Sequence, residues 1–192
     1  MIYLYKDLTK LGLSDYQIKQ KIKNQELYMV KKGVYSTAKE FEYLEYISKK
    51  HPNAVFTLQT ACYCYGLIKK SGDIYYIATK QKDRKILDEN IKQIFMTTSL
   101  YSIGVSKITY HNFNILIYDL ERLLIEIVRN KMSLDYEVYH EIINNYKKIK
   151  KLLNKTKLEN YIKEFKNPKI FERINNEVFC DWFLLLPMIW FC

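Results

Sequence analysis

The chain has 192 residues, of which 48% are hydrophobic and 15% aromatic, with a formal net charge of +10 and a pI near 9.2. That apolar content excludes global disorder and is enough to bury the core of one large domain or two small ones. The positive balance favours polyanionic partners, nucleic acid before membrane, but the abundance of Tyr, Ile, Lys and Asn suggests AT-rich coding, so only the placement of lysines is informative.

Residues 1–36 read as one unit. In IYLYKDLTK, Leu4 and Leu8 lie four apart and predict a short amphipathic helix. Gly12 then permits a tight turn, and Ser14 can cap a second helix over SDYQIKQKIKN. At 100° per residue Ile18 and Ile22 share one face, while Tyr16, Lys19, Gln20 and Lys23 share the opposite one, flanked by Gln17. ELYMV predicts a strand, KKG a turn and VYS a return strand. Helix, turn, helix and basic hairpin is the order of a winged helix-turn-helix. In that reading Tyr16, Gln17, Lys19, Gln20 and Lys23 face the DNA, and Lys31 and Lys32 at the hairpin tip reach flanking backbone. This stretch holds seven lysines against Asp7, Asp15 and Glu26, a local charge of +4.

Beyond Ser36 the pattern changes to that of a mixed α/β domain over residues 37–177. AKEFEYLEYISKK predicts a helix with Phe41, Leu44 and Ile47 inward, followed by a buried strand at AVF. Thr57 is placed to cap LQTACYCYG, which Gly66 stops. DIYYIAT and QIFMTT read as strands, and KITYH with NILIYD as a hairpin turning between His111 and Asn114. Asp119 is the expected N-cap of LERLLIEIVRN, and Ser133 the expected start of a long helix through YEVYHEIINNYKKIKKLL. KLENYIKEFK makes a further helix, and Pro168 fits the first turn of a last one. The lysines of NNYKKIKKLLNK fall on the wet side of Tyr146, Ile149, Leu152 and Leu153. Residues 178–192 form an apolar tail that is too short for a membrane span and is broken by Pro187.

Chemistry is sparse. Cys62, Cys64, Cys180 and Cys192 have no metal-ligand spacing, so neither zinc nor another metal is expected, and a reducing, cytoplasmic setting is. The triplets Asp83–Lys85 and Glu164–Lys166 resemble half of a nuclease carboxylate–lysine pair, but such triplets arise by chance at 27% charged residues. His51, His111 and His140 are scattered. No dinucleotide, P-loop or nucleophile-elbow pattern occurs, so no cofactor and no catalysis are expected. A mobile-element nuclease and an interaction module without DNA binding remain the alternatives.

Three segments, LGLSDYQIKQKIKNQELYMVKKGVYS, AVFTLQTACYCYGL and ILIYDLERLLIEIVR, together resemble the AbiE-type antitoxins of type IV toxin–antitoxin phage-defence systems. The matching marks are Gly33 and Tyr35 closing the wing, Thr60 and Ala61 with Gly66 and Leu67, and Asp119, Glu121 and Arg122. The resemblance spans about residues 4–175. It implies an N-terminal winged helix that binds inverted repeats in double-stranded promoter DNA and represses its own operon. It also implies a second domain that counters a nucleotidyltransferase-like toxin, with or without a stable complex. Asp119, Glu121 and Arg122 are candidates to touch that partner, or else to cap and tie down their own helix. The family's winged helix has a further helix ahead of the one near Tyr3, so a unit lacking that first helix is expected here.

Overall fold

The computed structural model describes residues 1–180, and the apolar tail expected at 178–192 lies outside them from residue 181 on. The fold is α+β with two sheets. The strands are β1 (Ile2–Leu4), β2 (Tyr28–Lys31), β3 (Val34–Ser36), β4 (Val55–Phe56), β5 (Tyr75–Lys80), β6 (Ile91–Met96), β7 (Val105–Tyr110) and β8 (Phe113–Tyr118). The helices are α1 (Tyr5–Lys10), α2 (Asp15–Lys23), α3 (Tyr43–Lys50), α4 (Leu58–Cys64), α5 (Thr98–Ser102), α6 (Leu120–Arg129), α7 (Tyr136–Ile149), α8 (Lys155–Glu164) and α9 (Pro168–Ile174). The sheets have orders β1-β3-β2 and β6-β5-β4-β8-β7. Contacts divide the chain into two compact units, Met1–Val55 with Lys107–Ile117, and Phe56–Ser106 with the chain from Tyr118 onward. No helix of the described residues is long and apolar enough to cross a membrane.

In the first unit, Ile2–Leu4 is a strand where the leucine spacing predicts helix. It pairs antiparallel with β3, Ile2 opposite Ser36 and Leu4 opposite Val34, and buries Ile2 completely. Pairing across the sheet outweighs local propensity here. Helix α1 therefore begins at Tyr5, and the Leu4 N–H is satisfied by Asp7 Oδ2 at 2.9 Å, a carboxylate one turn into the helix. Gly12, at φ +83°, ends α1, with Leu13 N–H reaching back to Leu8 O at 3.1 Å. Leu8, Ile18 and Leu27 form the buried cluster under α1 and α2, with Tyr3, Leu13, Ile22 and Tyr35 packed around it. The hairpin turn is Lys32–Gly33, and a bulge sits in β2 between Met29 and Lys31. Helix α3 starts later than its sequence suggests, because residues 37–40 bend and the Ser36 hydroxyl holds the Ala38 N–H at 3.1 Å. Leu44 and Ile47 face inward as expected, joined by buried Glu45, whose Oε1 accepts the Ile2 N–H at 2.8 Å.

In the second unit, β5 and β6 pair in parallel, Tyr75 with Ile91 through Lys80 with Met96. Gln93 pins the connecting loop to β6: its Oε1 accepts from Ile86 N–H, and its Nε2 donates to Arg84 O and Thr79 Oγ1. Helix α6 is the core, with Leu123, Leu124, Ile125, Ile127 and Val128 all at 0% exposure. Two expected caps fail. Thr57 stands at the N-cap of α4, but its buried hydroxyl has no hydrogen-bond partner, because Leu58 takes φ +47° and turns the helix start away from it. Ser133 instead closes a short 3-10 turn, and α7 is capped by Asp135, whose Oδ1 accepts from Glu137 N–H at 2.9 Å. Asp119 does cap α6, and Asn154 and Asn167 cap α8 and α9. Helix α5 has no periodic signal in the sequence.

Candidate nucleic-acid interface

Helix α2 is set by a reciprocal cap. Ser14 Oγ accepts from Gln17 N–H at 3.3 Å, and Gln17 Oε1 accepts from Ser14 N–H at 2.8 Å. The cap uses the oxygen with which Gln17 would accept from adenine N6, so Gln17 acts in positioning the helix. Ile18 is buried and Ile22 half-buried, which turns the other side of the rod outward. Tyr16 is 70% exposed, Lys19 and Lys23 are exposed, and Gln20 is half-buried. Tyr5 on α1 donates to Asp15 Oδ1 at the start of α2, and that hydrogen bond, more than any burial, raises its phenol pKa. At the far end, Lys21 Nζ meets Glu26 Oε2 at 2.5 Å and holds the Glu26 carboxyl below its ordinary range. Lys21 is thereby turned to the loop after α2, away from the face that carries Tyr16, Lys19 and Lys23.

The two hairpin lysines part company. Lys32 is exposed in the turn. Lys31, expected beside it at the tip, is the last residue of β2 and is half-buried. Its ammonium donates to Tyr43 Oη at 2.9 Å and lies over the rings of Tyr43 and Tyr46, 5.3 and 5.2 Å from their centroids. The aromatic grip from α3 was not legible in the sequence, since it joins residues 12 and 15 positions apart through a turn whose course depends on packing. Lys31 ties the β2–β3 hairpin to α3, and Lys32 is the cation left at its tip.

The candidates in the second unit converge on one helix start. Asp119 Oδ1 accepts from Arg122 N–H at 2.9 Å, while its Oδ2 is 3.1 Å from Lys157 Nζ and accepts from Tyr161 Oη at 3.0 Å. Glu121 Oε1 takes the Asn154 N–H at 2.8 Å, and its Oε2 lies 3.2 Å from Lys157. Burial alone would push the Glu121 carboxyl up. The N–H of Asn154, its own backbone and the Lys157 ammonium outweigh that and hold it below its usual value. Burial also pushes the nearby Tyr65 hydroxyl up to about 12, with the charges of Asp119 and Glu121 adding to it.

Arg122 is wholly buried. Its Nε and Nη2 donate to Glu126 Oε1 at 3.1 and 2.8 Å, and its Nη1 donates to the carbonyls of Leu100 and Ile103 at 2.6 and 3.3 Å. The guanidinium is sandwiched between the rings of Tyr118 and Phe165, 4.4 and 4.5 Å away. A side chain with no exposed surface cannot meet a partner, so its role is to fasten α6 to the segment around α5. Sequence reading missed Lys157 and Tyr161, which lie one turn apart on α8 and close this network, because nothing local to residues 119–122 points to a helix 35 positions downstream.

Among the described residues no His, Cys, Asp and Glu come together as a metal site. Asp83 of the DxK triplet closes the turn after β5, its Oδ2 accepting from Lys80 N–H at 2.9 Å. No protein-family model matches the chain, and no curated protein matches it either.

Proposed function

We propose that this chain is a DNA-binding antitoxin of the AbiE type, which represses its own operon and counters a nucleotidyltransferase-like toxin. The observation that carries the DNA part is the exposed face of α2, with Tyr16, Lys19 and Lys23 outward beside a hairpin tipped by Lys32. The layout supports a winged helix: α1, the Gly12 turn, α2 and the β2–β3 hairpin follow in order, and β1 completes the sheet. Helix α3 helps to close such a unit, since Glu45 binds the β1 backbone at Ile2. Lys19, Lys23 and Lys32 would neutralise phosphates, while Tyr16 and Gln20 would meet base edges or thymine methyl groups.

The antitoxin part rests on the order of motifs through Asp119, Glu121 and Arg122, whose contacts hold their own domain together. Titrating the protein with the DNA upstream of its own gene at rising salt tests the DNA part. Specific binding should weaken linearly on log–log axes with a slope of about −0.9 per phosphate neutralised. Binding that does not distinguish this DNA from an unrelated duplex would refute the repressor reading. Co-expression with a nucleotidyltransferase-like toxin encoded beside its gene tests the antitoxin part: rescue of growth is the expected result, and a neighbourhood that encodes no such toxin would refute it.

A further inference from the structure

The turn from α8 to α9 builds a concavity that the DNA reading does not use. It has a volume of about 400 Å³ and is lined by Ile162, Pro168 and Phe171, with Lys163, Lys166 and Glu159 on its rim. Its floor is fixed: Ile162 is buried, and neighbouring Phe165 has its ring under Arg122 and Arg129, 4.5 and 4.6 Å from their guanidinium carbons. Lys166 takes φ +50° at the end of α8, and the Asn167 side chain caps α9, so the mouth of the concavity is set by backbone geometry. Phe171 stays 39% exposed in it. A volume of this order, mostly apolar and rimmed by a few charges, falls in the range of concave binding sites.

The surrounding charge identifies the occupant. Residues 155–174, from α8 through α9, hold five lysines and Arg173 against Glu159, Glu164 and Glu172, a local charge of +3, with Lys157 turned to Asp119 and Glu121. Lys163 and Lys166 are exposed, and neither has a carboxylate within ion-pair distance among the described residues. We infer that this concavity docks an acidic amphipathic segment of a partner protein, one large apolar side chain seated on Phe171 and Ile162 with flanking carboxylates on Lys163 and Lys166. A nucleic acid fits it less well, because strand binding uses successive aromatic platforms along a basic groove, and among the described residues a single ring, Phe171, lines this concavity. The inference rests on α8 and α9 alone and stands whether or not α2 reads DNA.

The test is fluorescence anisotropy with a labelled synthetic amphipathic peptide, a leucine stripe with one phenylalanine flanked by glutamates. The full chain should bind it. Phe171→Ala should weaken binding about tenfold, as for an anchoring aromatic contact. The exposed pair Lys163→Glu with Lys166→Glu should abolish binding of the acidic peptide and gain binding of its lysine-for-glutamate counterpart, with circular dichroism melts unchanged from wild type. Absence of binding, or equal binding by the Phe171→Ala protein, overturns the inference. So does displacement of the peptide by a single-stranded oligonucleotide, which would make the site one for nucleic acid. Self-association lost in Phe171→Ala would make the occupant a second copy and overturn it too.

Discussion

Replacing Glu126 by Ala or Leu is the sharpest test of the second unit. Both Glu126 and Arg122 have essentially no exposed side-chain surface, and Oε1 of the carboxylate receives Arg122 Nε at 3.1 Å and Nη2 at 2.8 Å. Truncation removes two charge-assisted bonds and strands a guanidinium that cannot reach water. Its remaining partners are the carbonyls of Leu100 and Ile103, the Met96 sulfur and the two flanking rings, none of which carries a negative charge. Breaking one side of a buried pair costs about 3–5 kcal/mol. Arg129, which also donates to Oε1, is 35% exposed and can turn to solvent, so it adds little. In a chain of this length each kcal/mol lowers Tm by about 2–4 °C, giving a drop of about 6–20 °C by calorimetry or circular dichroism. The double variant Arg122→Met with Glu126→Leu should recover most of the loss, because no buried charge is left unpaired. A single variant melting within about 1 kcal/mol of wild type would refute the argument. So would a double variant no more stable than the Glu126 variant.

Further outcomes follow from the same geometry. Lys19→Ala with Lys23→Ala should lower the salt slope of DNA binding by about 2, while costing less than about 0.5 kcal/mol of stability per site; an unfolded double variant would mean the face is buried. Lys32→Ala should weaken DNA binding at unchanged Tm, whereas Lys31→Ala should lower Tm through its lost contacts to Tyr43 and Tyr46; the reverse pattern would contradict the placement of the two lysines. Gly104→Ala would put a Cβ 2.5 Å from Arg122 Cβ at φ +72° and should cost about 2–4 kcal/mol, while Gly33→Ala, at φ +74° in open space, should cost about 1 kcal/mol by thermal melts. With its folded pKa lowered below the ordinary 4.5, Glu121 contributes stability that is present above that value and lost as pH falls through the folded pKa. Tyr118 and Tyr146 behave oppositely: burial raises them above 10.0, so their contribution is complete below pH 10 and is lost as pH rises beyond it. Melts across pH should therefore lose the Glu121 share on the acid side, and the Glu121→Gln protein should show a shallower acid limb.

What the sequence determined alone acts within a turn or two of chain. The Ser14 cap, the Gly12 stop, the outward face of α2, the Lys32–Gly33 hairpin, the Asp119 cap and Pro168 at the start of α9 depend on spacing and local hydrogen bonding, and all of these are present. Tertiary structure decided wherever a distant group competes with a local preference. Ile2–Leu4 became strand because β3 offers a ladder thirty residues away, and Thr57 lost its cap because the start of α4 turns to fit the β5 backbone, where Tyr76 O accepts the Thr57 N–H at 3.1 Å. Lys31 left the hairpin tip for two aromatic rings, and Arg122 became a buried clamp because Glu126, Leu100, Tyr118 and Phe165 surround it. A charge in a sequence does not say whether it will stand in water or be enclosed; that depends on which partners the folded chain brings within hydrogen-bond reach, since only a paired charge tolerates burial.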